Sequence, residues 1–430
     1  MKILIAHYKY YIQGGPERYM FNFMKLAQEN GCEVIPFSVN YPTNVPTEYS
    51  KYFVGSKDAG GNYDANNHKI SYLIKNVYHE FHNKEAYKKI IKLIKDTKPD
   101  VLYSLIPGQL TPDIFKAAHK MGIPVVLRIS DFRLICGKYS MVRDGHVCED
   151  CLNGKYRNCY KNRCVKNSRI LSLLRAKSLE YHRKHKTYKY VDAVMVPPSF
   201  TKKLFVRDGF FSENMIFVNS TFVFPKISKP TYIYPKEKNL LCLGRFAYEK
   251  GFQYAIEALR FIDNDDVKVI ITGDKKDAPS EVLSFIQSNG LEDRVAFVGF
   301  LSGQELENTI KNSFAIINPG IWYENMPNTI LEAYSFGKPV IASKIGSLEE
   351  IVLDKKTGLL FEPKDSYQLA MCVNYLISHP EEYLKMCQNA FKKCQTTFSP
   401  EKHWARFLLI IESIKKNWHD LYQYCVTKQQ

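Results

Sequence analysis

Short apolar runs alternate with helix-length stretches along the whole chain, and this alternation limits the fold more than any other feature. Residues 1–7 read as a buried strand, followed by a loop carrying Gly14-Gly15-Pro16-Glu17. A helix with Met20, Phe23, Met24 and Ala27 at helical spacing follows, ending near Asn30-Gly31, and a strand covers 33–39. Strand, glycine-rich loop, helix and strand open a doubly wound α/β domain. The glycines let backbone N–H groups approach a ligand, although a tight turn without a ligand fits the pair equally well.

The rest of the first half continues the alternation. Residues 41–68 are irregular and rich in Asn, Gly, Pro and Tyr, a candidate flap over an acceptor site. A long amphipathic helix is expected over 70–96, strands over 100–105 and 124–129, and a helix near 109–121. Strands at 192–196 and 215–218 follow, with Ser199 placed as a helix N-cap. Residues 219–239, rich in Pro, Lys and Tyr, read as an interdomain linker. Beyond it strands recur at 240–243, 267–272, 295–298, 314–318, 340–343 and 358–361, with a helix fitting each gap. The expected division is therefore an α/β domain over 1–218 with a cysteine-rich insertion at 131–166, the linker, a second α/β domain over 240–398, and a helical segment over 399–430 that packs back toward the first domain.

The insertion holds Cys136, the Cys148-Glu149-Asp150-Cys151 motif, Cys159 and Cys164. Reduced thiolates at such spacing are candidate zinc ligands, with Cys148, Cys151, Cys159 and Cys164 as the set. Free thiols or a loop disulfide satisfy the same pattern. A helix over 167–190 carries Arg169, Arg175, Lys177, Arg183, Lys184, Lys186 and Lys189 among Ile170, Leu171, Leu174 and Leu179. That mixture fits either peripheral contact with anionic lipid or a solvated basic face.

Composition adds bounds. At 430 residues the chain has length for two or three sizeable cores. Sixty Lys plus Arg against 44 Asp plus Glu give a net +16, which favours anionic partners. No apolar run is long enough to span a bilayer, and the polar interruption after the first strand argues against a signal peptide. A cytoplasmic location follows as the expectation, and with it reduced or metal-bound cysteines.

The chemistry concentrates in the second half. Residues 322–337 run Trp-Tyr-Glu-Asn-Met-Pro-Asn-Thr-Ile-Leu-Glu-Ala-Tyr-Ser-Phe-Gly after an apolar strand. Pro327 suits the first turn of a helix and Gly337 its end, so Glu324 lies on the entering loop and Glu332 about two turns along. The helix start between them, Asn325, Met326, Pro327, Asn328 and Thr329, offers free N–H groups to a phosphate. Upstream, Gly244-Arg245 and Glu249-Lys250-Gly251 follow the first strand of this domain, placing two cations where a diphosphate would lie. Two carboxylates around an anion site suit a nucleotide-sugar, with hydroxyls on both sides of a diphosphate. Asp263-Asn264-Asp265, by contrast, reads as a solvated turn after a helix.

Taken together, Gly-Gly-x-Glu after the first strand, Gly-Arg…Glu-Lys-Gly opening the second half and Glu-x7-Glu resemble the retaining glycosyltransferases of family 4, over essentially the whole chain. The resemblance implies GT-B architecture, two Rossmann-like doubly wound α/β domains facing across a cleft. The insertion resembles that of bacterial members building surface polysaccharides such as capsule, O-antigen or exopolysaccharide. It also implies roles: Arg245 and Lys250 neutralise the donor diphosphate, Glu332 binds the ribose, Glu324 holds hydroxyls of the transferred sugar, and backbone groups over 325–328 orient it. Gly14 and Gly15 close on the phosphate from the other domain. The donor is a UDP- or GDP-sugar, the acceptor a glycan, with a lipid-linked one favoured, and catalysis by front-face attack requires neither metal nor other cofactor. Where many relatives carry His-Asp, this chain has Ser130-Asp131, which leaves Asp131 as the candidate acceptor contact. Two other classes compete, a non-catalytic GT-B partner subunit and a nucleic-acid binder using the charge and cysteines. The intact donor residues disfavour the first, and the absence of a reading module in the sequence disfavours the second, so no nucleic acid is expected.

Overall fold

A computed structural model describes residues 1–55, 77–228 and 230–427. The first half contains β1 (Lys2–Ala6), α1 (Gly15–Glu29), β2 (Glu33–Phe37), α2 (Lys84–Thr97), β3 (Val101–Ser104), α3 (Asp113–Lys120) and β4 (Val125–Arg128). The hairpin β5 (Val142–Arg143) and β6 (His146–Val147) comes next, followed by α4 (Arg157–Lys161), α5 (Arg169–Lys184), β7 (Ala193–Val196), α6 (Ser199–Asp208) and β8 (Ile216–Val218). The second half contains β9 (Asn239–Cys242), α7 (Phe252–Ala258), β10 (Lys268–Ile271), α8 (Ser280–Ser288), β11 (Val295–Phe297), α9 (Gly303–Asn312) and β12 (Ala315–Asn318). It ends with α10 (Asn328–Ser335), β13 (Val340–Ser343), α11 (Ser347–Ile351), β14 (Gly358–Phe361), α12 (Ser366–Ser378), α13 (Pro380–Thr397) and α14 (Pro400–Thr427).

The strands form two six-stranded parallel sheets, ordered β2-β1-β3-β4-β7-β8 and β11-β10-β9-β12-β13-β14. Both faces of each sheet are covered, which explains why the strands are continuously apolar. In β1 the alternation divides the layers. Leu4 and Ala6 enter a core with α2, α3 and α6, whereas Ile3 and Ile5 face Phe23 of α1 and Trp404, Phe407 and Ile411 of α14. The last helix of the chain thus completes the core of the first domain.

In an open parallel sheet, ligands sit at the carboxyl ends of the strands where the strand order reverses. The first sheet reverses between β1 and β3 and the second between β9 and β12. The Gly14-Gly15 loop follows β1, while the Arg245–Lys250 and Glu324 loops follow β9 and β12.

Several local expectations need correction. The helix expected over 70–96 is broken: residues 77–79 are helical, the chain turns over 80–83, and α2 begins at Lys84, because Asn83 accepts the N–H of Ala86 and caps it; the part over 70–76 and residues 56–68 of the candidate flap lie outside the described residues. Ser199 is the first helical residue rather than the cap, and its N–H is bonded by Glu350 of the other domain at 2.9 Å. Pro327 occupies the N-cap, one residue before the first turn.

Candidate active site

The candidate site lies at the seam between the two sheets, and its first wall is the loop after β1. Gly14 donates its N–H to Glu17 Oε2 (2.9 Å), the half of a capping box open to a glycine N-cap, which folds the loop onto the start of α1. Glu17 Oε1 meets His7 Nε2 at 3.0 Å, with both side chains buried. Because the Ile106 N–H donates to His7 Nδ1 (3.2 Å), the proton of a neutral imidazole sits on Nε2 and is donated to Glu17. Burial lowers the His7 pKa against the pull of Glu17. For Glu17 burial is the largest influence and acts upward, but His7, a backbone N–H and Lys9 together outweigh it and the carboxyl stays below its ordinary range. A neutral histidine and an ionised glutamate therefore hold the glycine loop.

The second wall is the loop after β12 and the start of α10. Glu324 is buried, accepting Lys250 Nζ at 2.6 Å and Trp322 Nε1 at 3.3 Å, while Ser347 Oγ donates to its carbonyl. Gly251 fixes the register of these two loops. Its φ is +71°, and a Cβ there would stand 1.9 Å from the carbonyl oxygen of Pro319. Arg245 is exposed and has no hydrogen-bond or ion-pair partner among the described residues. Helix α10 begins without a side-chain cap, leaving its first N–H groups for a ligand.

The walls meet closely. A Cβ on Gly15 would lie 3.4 Å from Asn328 Nδ2. Gly15, Pro16, Tyr19, Ser130, Asn325 and Asn328 enclose a cleft of about 70 Å³. Asn325 bridges the domains with its side chain, donating to the Ile129 carbonyl (2.9 Å) and accepting from Thr201 Oγ1 (2.6 Å). Arg18 of α1 reaches across to Glu332, Nη1 to Oε1, at 2.7 Å. Burial raises the Glu332 pKa, with Arg18 opposing.

On the acceptor side, Asp131 is gripped by Arg133 through two bonds, Nε–Oδ1 at 2.9 Å and Nη2–Oδ2 at 2.7 Å. Arg133 borders a cavity of about 380 Å³, lined also by Tyr8, Gln109, Tyr139, Arg175 and Tyr188. Ser130 borders the interdomain cleft, so the chain passes from cleft to cavity within three residues, a span of about 10 Å at most.

The structure thus brings Gly15, Asn325, Met326 and Asn328 together around one cleft. Glu332 is joined across the seam to the helix that opens at Gly15, Lys250 is joined to Glu324, and Asp131 is held by Arg133, which borders the cavity. The structure also places the insertion's cysteines near one another, with Cys159 in side-chain contact with Cys164. Cys136, Cys148, Cys151 and Cys164 line one small void, while Cys159 packs under Gly137 and donates to the Ser172 carbonyl at 3.6 Å. Among the described residues no three His, Cys, Asp or Glu side chains are grouped to hold a metal ion, and the ten described cysteines are free thiols. Sequence reasoning missed His7, Arg18 and Arg133. One signal was available for Arg18: a cation in the first turn of a helix opposes the dipole, so some other partner must hold it there.

Two α/β domains with this topology and a cleft between their switch points define a GT-B architecture. Solved structures share the fold over nearly the whole chain: the Anabaena protein HepE in complex with UDP (16% identity, TM-score 0.64, 98% of this chain and 100% of that one) and the lipopolysaccharide outer core galactosyltransferase WaaB (18%, 0.64, 96% and 99%). Residues 223–393 match the family model of group 1 glycosyl transferases. Curated relatives include an alpha-D-kanosaminyltransferase of Streptomyces kanamyceticus (30% identity over 35% of this chain and 39% of the relative). Another is a lipopolysaccharide 1,2-N-acetylglucosaminetransferase of Salmonella typhimurium (28% over 42% and 49%). The matched stretch spans less than half the length of these relatives.

Proposed function

We propose that the protein is a glycosyltransferase that moves a sugar, with retention and without a metal, from a UDP- or GDP-sugar to a glycan acceptor in surface-polysaccharide synthesis. The observation that carries this reading is the meeting of the Gly14-Gly15 loop with the uncapped start of α10, flanked by Glu332 and the Lys250–Glu324 pair. The diphosphate lies against the first N–H groups of α10, with Lys250 and Arg245 supplying positive charge as the glycosidic bond breaks. Glu332 takes the ribose hydroxyls, and Glu324 holds the transferred sugar. The acceptor enters the first-domain cavity beside Asp131, whose carboxylate is held by Arg133. Catalysis on this account is positioning and charge stabilisation across a closing cleft.

In support, the two relatives named above are sugar transferases, and HepE was solved with UDP. The test is donor turnover without acceptor. Incubation with UDP-, GDP- and ADP-sugars in EDTA should release nucleoside diphosphate from one class, and the first-formed free sugar should keep the donor's anomeric configuration. Inversion, or turnover only on adding a divalent metal, contradicts the mechanism; no release from any donor contradicts the activity.

A further inference from the structure

Residues 152–179 carry four Lys and four Arg and no Asp or Glu, half of the chain's formal excess of +16. This stretch folds into α4, a turn and most of α5. The inner face of α5 is spoken for. Ala176 and Leu179 pack on Cys151, Tyr156 and Cys159, and Arg175, Leu179 and His182 line the first-domain cavity.

The start of the helix behaves differently. Ile170 is 80% exposed, Leu171 40% and Leu173 44%. Scattered apolar residues are normal on a surface, but three within one turn form a patch. Ile170 and Leu173 share the outer stripe of the helix with Arg169 and Lys177. Lys161, Arg163 and Lys166 of the preceding segment are exposed as well, and of these five cations only Lys177 forms an ion pair among the described residues, with Glu180 at 2.8 Å. Arg163, Lys166 and Asn167 hold positive φ of 48°, 48° and 52°, a conformation that non-glycine residues keep only where the surroundings dictate it.

Exposed aliphatic side chains ringed by unpaired cations match the chemistry of an anionic bilayer surface, where the headgroups meet the charges and the acyl boundary takes the apolar tips. A nucleic-acid backbone would engage the cations and leave Ile170 and Leu173 without a partner. We infer that the start of α5 docks the protein on anionic lipid, with Ile170, Leu171 and Leu173 entering the interface and Arg163, Lys166 and Arg169 facing phosphates. The docking face is the tip of the helix rather than its length. Further along, Arg183 is turned inward to the buried Asp208 (2.6 Å) and Arg175 toward Glu80 (3.5 Å). Arg175 lies about 8 Å along the axis from Ile170, so one helix joins the lipid surface to the cavity proposed for the acceptor.

Flotation of the full chain with vesicles tests this without reference to transferase activity. The wild type should float with vesicles of phosphatidylcholine plus phosphatidylglycerol and not with phosphatidylcholine alone, and added salt should weaken the association. Ile170→Ser/Leu173→Ser and Arg163→Ser/Lys166→Ser/Arg169→Ser should each reduce partitioning by about tenfold or more. Their unfolding temperatures should match the wild type, which shows that both variants are folded. Docking at this face is overturned if the wild type stays with neither vesicle, or if both folded variants float like the wild type. Binding to duplex DNA that anionic vesicles do not displace, lost in the same variants, overturns the lipid assignment.

Discussion

At the scale of single residues, the account depends on side chains whose partners lie on other elements. Glu324 is buried, and Lys250 supplies its counter-charge and, in the proposed mechanism, a cation for the leaving diphosphate. Gly251 makes that pairing feasible. A methyl group there collides with the Pro319 carbonyl, and its φ of +71° strains any other residue. Gly251→Ala should cost about 3 kcal/mol or more and lower the unfolding midpoint by roughly 6–12 °C, with loss of donor binding. Calorimetric unfolding checks it; a midpoint within a degree of the wild type contradicts the packing of the two loops. The placement of Glu324, Glu332, Arg245 and Lys250 on the loops and helix of one domain was legible because it follows from residue type and spacing within that domain. The Arg18–Glu332 pair was not: its members stand 314 residues apart, and no local pattern links them. Asp131 was singled out by the family resemblance, and its partner, Arg133, two residues away, is visible only once the turn closes.

At the scale of elements, α14 does more than lengthen the chain. Its His403 is buried between Tyr19, which donates to Nε2 (2.9 Å), and the Ser220 carbonyl, which accepts from Nδ1 (2.7 Å). Arg128 stacks on the same Tyr19 ring at 3.7 Å and binds Thr221 Oγ1 at 2.7 Å. Helix, linker and sheet are thereby joined at one point. Burial, reinforced by Arg128, lowers the His403 pKa to about 3 from the ordinary 6.5. The unfolded chain therefore takes up a proton below pH 6.5 that the folded protein refuses until about pH 3, and stability falls as pH drops through that window. The slope contributed is up to about 1.4 kcal/mol per pH unit, or about 2 kcal/mol lost by pH 5. Denaturant unfolding at pH 7 and pH 5 should show the loss and His403→Gln should reduce it; equal slopes in the two proteins contradict the role of His403. Among the elements, β13 and β14 were readable to the residue because Pro, Gly and charged residues bound their apolar runs. The break before α2 was hidden, since periodicity continues through a cap that works by one side-chain bond from Asn83. In α5 the pattern of basic and apolar residues was visible, but which of them face solvent depends on the insertion packed beneath it.

At the scale of the molecule, the two-domain α/β architecture was legible because parallel strands buried on both faces must be continuously apolar and separated by crossover helices. The seam was not. It is held by contacts that each domain presents to the other: Asn325 to Ile129 and Thr201, Glu350 to the start of α6, Tyr323 to Glu149, and Arg18 to Glu332. Such contacts obey no sequence period, being set by how two finished surfaces meet. Their placement around the cleft joins domain closure to the proposed donor site, since Glu332 both accepts Arg18 and stands where the ribose is assigned. The most direct test is calorimetric titration of the protein with UDP-, GDP- and ADP-sugars in EDTA, alongside Glu332→Ala and Arg245→Ala. The account predicts binding of one nucleotide class, weakened at least tenfold in each variant, which corresponds to about 1.4 kcal/mol. Folded protein that binds none of them, or variants that bind as tightly as the wild type, would contradict it.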